Sequence, residues 1–173
     1  MAIVYLCGLP GSGKSTIGPL LAKLRGQPFI DLDTLIEERA GMKIPAIFHS
    51  IGEAGFRDFE NVALVQAASR GDSVIALGGG ALERKENRDI IAASGLMVYL
   101  DAPLELLAAR TLADNTRPLL DVNHSLQERI TALNFLMLRR KDYFDEAPLS
   151  FPTTDPDAMQ TALSIFEAID GLV

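Results

Sequence analysis

Eight consecutive residues, Gly8-Leu9-Pro10-Gly11-Ser12-Gly13-Lys14-Ser15, satisfy the pattern G-x-x-x-x-G-K-[ST]. An apolar run over residues 2–7 precedes them, and Ile17, Leu20, Leu21 and Leu24 follow at helical spacing as far as Gly26. The first run suits a strand buried on both faces, the second a helix stopped by glycine. Pro19 falls inside that helix and is expected to bend it. A strand, a glycine-rich loop and a helix in this order turn successive backbone N–H groups toward one anion, and the helix N-terminus adds its partial positive charge at the same point. Lys14 is expected to project from the loop toward the β- and γ-phosphates of a nucleotide, with the Ser15 hydroxyl completing a Mg²⁺ shell. Gly11, Ser12, Gly13, Lys14, Ser15 and Thr16 are the candidate phosphate-binding residues. The strings D-x-x-G and N-K-x-D, which a GTP switch would carry, are absent, and this favours ATP.

The same alternation continues along the chain. Apolar or β-branched runs at residues 28–31, 73–77, 96–100 and 149–152 read as strands. Helical patterns fall at 32–40, 44–50, 53–70, 83–93, 103–112, 126–143 and 155–170. Strands separated by helices imply parallel pairing in an α/β sandwich. Residues 113–125, polar and without sustained period, read as a long loop or lid. The 173 residues have no visible linker or repeat, so a single domain over 1–173 is expected, and 48% hydrophobic content supplies its core.

Charge and cysteine content exclude other classes. Sixteen basic against 23 acidic residues leave a net charge of −7 and no basic stripe, so no nucleic-acid partner is expected. No apolar run approaches the roughly 18 residues of a membrane span, and a single cysteine, Cys7, cannot form an internal disulfide. A cytoplasmic protein is the expectation. His49 and His124 share no metal-ligand spacing and are read as surface or packing residues.

Asp31 and Asp33 flank Leu32 at the end of the second strand, where ligands of open α/β sheets collect. In an extended strand they would point to opposite faces, one toward Mg²⁺ and one toward a substrate hydroxyl. The alternative is a polar strand end with Asp33 as a helix N-cap. Glu53 and Glu60 sit four residues before and three after Arg57, where they can pair with it and orient it. Gly78-Gly79-Gly80 follows the third strand, where bare backbone lets a ligand approach.

The ordered series GLPGSGKST, DLD, GEAGFRDFE, ALGGGA, RTLADNTRPLL and RRKDYFDEA closely resembles the shikimate kinase family over nearly the whole chain. The resemblance implies a P-loop NTPase-type three-layer α/β/α sandwich on a five-stranded parallel sheet of order 2-3-1-4-5. It implies ATP-dependent phosphorylation of the 3-hydroxyl of shikimate, in aromatic amino-acid biosynthesis, with Mg²⁺ as cofactor. Asp33 matches the family's substrate-hydroxyl aspartate and Asp31 its magnesium-side aspartate. Arg57 and Arg139 match the arginines that hold the substrate carboxylate, with Gly79 and Gly80 supplying backbone contacts. Arg117 matches the lid arginine that reaches the transferring phosphate, and Arg110 the residue against adenine. Asp33, Lys14 and Arg117 form the expected catalytic set, residues 32–60 the substrate-binding helical segment, and a monomer the expected state. A related P-loop kinase of another hydroxylated small acid, such as gluconate, is the alternative.

Overall fold

The computed structural model describes residues 3–112 and 125–171. Five strands, β1 (Ile3–Cys7), β2 (Phe29–Asp31), β3 (Val74–Ala76), β4 (Gly95–Asp101) and β5 (Leu149–Pro152), pair in parallel in the order β2-β3-β1-β4-β5. This is the expected sheet. β1 lies at its centre, and its period-2 alternation divides the core. Val4 and Leu6 point into one cluster, while Ile3, Tyr5 and Cys7 point into the other.

Helices cover both faces. α1 (Lys14–Arg25) and α7 (Ala158–Asp170) close one side, with Ile17, Leu21, Ala162 and Ile165 packed on Val4 and Leu6. α2 (Leu32–Ala40), α3 (Ile44–Ala68), α4 (Lys85–Ser94), α5 (Leu104–Arg110) and α6 (Leu126–Asp145) follow in the chain; Leu64, Ile91, Leu107 and Leu136 from α3 to α6 fill the second cluster. Burying each such side chain contributes about 1.5–3 kcal/mol.

α1 continues through Pro19 as an α-helix. The two helices expected at 44–50 and 53–70 lie within α3 and meet at a kink at Gly52, whose φ of 71° and ψ of −179° lie where glycine alone is comfortable. One boundary differs from the sequence pattern. A 3₁₀ turn at Ala81–Glu83 precedes α4, so the helix expected from residue 83 starts at Lys85. The segment expected as a lid falls outside the described residues except Ser125. Ser125 caps α6: its hydroxyl accepts from the Glu128 N–H while the Glu128 carboxylate accepts from the Ser125 N–H. Arg129, fully buried on α6, donates from Nη1 to the Thr111 carbonyl at 2.8 Å and ties the end of α5 to the start of α6.

Candidate active site

The loops leaving the carboxyl ends of β1, β2 and β3 carry Gly8–Gly13, Asp31–Asp33 and Gly78–Gly80, so all three sequence motifs open onto one edge of the sheet. Gly13 is the N-cap of α1 with φ 95°, a conformation that lets the loop turn its amides toward the helix N-terminus. Lys14 does not project outward. Its ammonium curls back, is largely buried, and donates to the Gly8 carbonyl at 2.8 Å, the Leu9 carbonyl at 3.2 Å and Ser12 Oγ at 3.3 Å. A cation held on three loop oxygens stands where phosphate oxygens would replace them.

Ser15 Oγ donates to Asp31 Oδ2 at 2.9 Å, and Asp31 Oδ1 accepts from the Thr34 N–H at 3.2 Å as the N-cap of α2. The cap role weighed for Asp33 therefore belongs to Asp31. Asp33 already lies in the first turn of α2, so strand alternation does not separate the two carboxylates; the strand-to-helix turn does. Asp31 faces the phosphate loop, and Asp33 faces Gly78, where a Cβ would stand 2.7 Å from Asp33 Oδ1.

A cavity of about 400 Å³ runs from Gly11, Gly13 and Ser15 to Arg110, Thr153 and Pro156. Arg110 Nη2 donates to the Thr153 carbonyl at 2.7 Å, which fixes the guanidinium plane in the wall. Thr153 is held in turn by the Asp101 carbonyl, at 2.7 Å from its N–H. Asp155, from the acidic loop, lines the same cavity.

The second half of the site gathers charges behind Gly78–Gly80. Arg57 Nη1 donates to Glu60 Oε2 at 2.8 Å and Nη2 to Glu53 Oε1 at 3.3 Å, the pairing expected from their spacing. A Cβ on Gly80 would sit inside the Arg57 guanidinium, and one on Gly79 would stand 3.3 Å from Nη1 of Arg140. Arg140 is 2% exposed and donates from Nε to Glu83 Oε1 at 2.8 Å. Arg139, matched by the sequence to the carboxylate-binding role, is 44% exposed and pairs with the other Glu83 oxygen, on the outer side. The phase of α6 explains this order: Arg129, Leu133, Leu136, Arg140 and Phe144 form its buried stripe, and Arg139 falls off it. Glu83 is drawn below the ordinary carboxylate range: burial alone would raise it, and the hydrogen bond and charge of Arg140 overcome that. Burial pushes Glu60 up to about 7 against the pull of Arg57. Cys7 is inert, its thiol pushed by burial up to about 12 although Lys14 pulls it down.

The structure brings Lys14, Ser15, Asp31, Asp33, Arg57, Arg110 and the Gly78–Gly80 run together at this edge, whereas Glu83 and Arg140 were not singled out from the sequence. The helical stripe of α6 is the signal that would have found Arg140. Arg117 lies outside the described residues. Among the described residues no cluster of three or more His, Cys, Asp or Glu forms a protein-only metal cage, and no helix is long and apolar enough to cross a membrane.

A family model described as "Shikimate kinase" matches residues 10–170. The chain belongs to the shikimate kinase family. A shikimate kinase of Acinetobacter baylyi is 41% identical over 166 residues, covering 96% of this chain and 91% of that one. One from Salinibacter ruber is 50% identical over 119 residues, covering 68% of this chain and 58% of that one. The solved structure of shikimate kinase from Acinetobacter baumannii in complex with shikimate matches with a TM-score of 0.93 at 38% identity, over 99% of this chain and 94% of that one. Members of this family are ATP-dependent kinases, and the cavity from Gly11 to Pro156 is lined by the phosphate loop that such a kinase needs.

Proposed function

We propose that this protein transfers the γ-phosphoryl group of ATP to the 3-hydroxyl of shikimate, giving shikimate 3-phosphate and ADP. One observation carries the reading beyond the family: two guanidinium groups, Arg57 and Arg140, lie against the bare backbone of Gly79 and Gly80, with the Asp33 carboxylate beside Gly78. A small polyol acid needs this set, arginine forks for its carboxylate and a carboxylate acceptor for a hydroxyl. The arginines grip the acid end through Arg57 and Arg140, with Arg139 at the mouth as the first charge the substrate meets. Gly79 and Gly80 give the ring backbone contacts.

Phosphates lie on Gly11 to Thr16, with Lys14 exchanging its loop oxygens for phosphate oxygens, and the base lies between Arg110 and Pro156. Asp33 accepts the 3-hydroxyl proton as the new O–P bond forms; the bond from phosphorus to the β-phosphate oxygen breaks and ADP leaves with its electron pair. Arg117 supplies its charge to the transferring phosphate. The Ser15 hydroxyl and Asp31 carboxylate, 2.9 Å apart at the phosphate end, fit Mg²⁺, which takes one or two protein oxygens and completes its shell with water and phosphate. Bound there, Mg²⁺ supplies charge neutralisation for the triphosphate. The enzyme acts as a cytoplasmic monomer.

The test replaces the substrate carboxylate by an amide. Wild type should lose about 10–100-fold in kcat/KM, since a charge-assisted contact is worth about 1.5–3 kcal/mol. Arg140→Ala should already have lost that factor with shikimate and lose little more with the amide, whereas Arg139→Ala should behave more like wild type. An equal penalty for the amide in wild type and Arg140→Ala would refute the pairing.

A further inference from the structure

Glu60 is a buried group of this pocket whose chemistry the transfer step leaves unused. Its side chain is fully buried, its Oε2 accepts from Arg57 at 2.8 Å, and among the described residues its Oε1 has no hydrogen-bond partner. That Oε1 and Asp33 Oδ1 each lie 2.7 Å from the point a Cβ on Gly78 would occupy, so the two carboxylate oxygens are at most twice that distance apart. Two carboxylates this close, one of them out of water, repel strongly. The groups facing Glu60 are Arg57 and Glu53 on α3, Asp33 on α2, Glu83 on the 3₁₀ turn, and Arg140 with Arg139 beyond it on α6. Six charges, three of each sign, surround one buried carboxylate, and a substrate carboxylate adds a further negative charge. It also competes for Arg57. Glu53, more than half exposed, can release that arginine into water, but Glu60 cannot follow it out.

We propose that Glu60 takes up a proton from solvent when the substrate carboxylate docks on Arg57 and Arg140, so that the pocket binds its anionic substrate together with a proton. This rests on the reading of the pocket as the shikimate site. The sign follows from burial, which already holds Glu60 near 7 before substrate enters. An added anion raises it further. Below pH 7 Glu60 is already protonated and affinity is flat; above it each binding event must bring a proton, so the dissociation constant for shikimate rises with pH, by up to about tenfold per unit.

Calorimetric titration of the whole enzyme with shikimate at pH 7.5, in buffers of different ionisation enthalpy, reads the proton count directly. Wild type should take up a substantial fraction of one proton per shikimate. Glu60→Gln should take up none, with a dissociation constant independent of pH between 6.5 and 8.5, while His49→Gln should keep the uptake. Shikimate binding by wild type without proton uptake would overturn the proposal whether or not the variant folds, and so would uptake that survives Glu60→Gln or vanishes in His49→Gln. Absence of shikimate phosphorylation would instead count against the function assigned above, and the two failures are separate readouts.

Discussion

Lys14 contributes both to the fold and to chemistry. Methionine at this position would remove the charge that phosphates need, take the ammonium donor from the Gly8 carbonyl, and leave the Leu9 carbonyl with the Ser12 N–H but without the ammonium. Lys14→Met is therefore expected to lose orders of magnitude in turnover and also about 1–3 kcal/mol of stability, read as a fall of several degrees in Tm. A silent melting curve would show that the ammonium already leaves the loop in the free enzyme. Gly78 is under a different constraint, since any Cβ would press on Asp33 and Glu60 together. Gly78→Ala should displace both carboxylates, with turnover falling at least about tenfold and stability by about 1–3 kcal/mol; a fully active, stable alanine variant would remove the crowding argument. The site was legible residue by residue where a motif fixes the spacing, as for Lys14, Ser15 and Arg57. Arg140 was not legible there: the motif points to Arg139, and only the phase of the packed helix shows that its neighbour Arg140 is the buried one of the two.

The elements were legible from hydrophobic period, and their junctions were less so. β1 and α7 read directly, since one alternates into two clusters and the other buries Thr161, Ala162, Ile165 and Ile169 on one stripe. The turn at Ala81–Glu83 carries no period of its own, being one short 3₁₀ step that seats Glu83 between two arginines. At Gly52 the expected break between two helices is a single residue of non-helical conformation, directly before Glu53. No atom would meet a Cβ at Gly52, so Gly52→Ala isolates backbone strain from packing. A cost of about 1–3 kcal/mol in urea unfolding, with a raised KM for shikimate, is expected. No change in stability would mean that α3 straightens there without penalty.

At the scale of the molecule, the order β2-β3-β1-β4-β5 brings the phosphate loop, the Asp31–Asp33 turn and the Gly78–Gly80 run together, because parallel strands all end on the same edge and β1 stands between the two directions of winding. The sequence pattern carried parallel pairing, and the family resemblance carried the strand order, which periodicity alone does not encode. A net charge of −7 coexists with this local cluster of arginines, in which Arg57 pairs with Glu53 and Glu60, and Arg139 and Arg140 with Glu83. Chemistry on a small hydroxylated acid is the claim on which the rest depends. Its most direct measurement is ADP release with ATP and Mg²⁺ across shikimate, gluconate and nucleoside monophosphates, with the phosphorylated position of the product assigned by NMR. The account predicts rapid ADP release with shikimate, phosphate on the 3-hydroxyl, and little above background with the others. Turnover of gluconate or a nucleoside monophosphate at a rate equal to or above that of shikimate would contradict it.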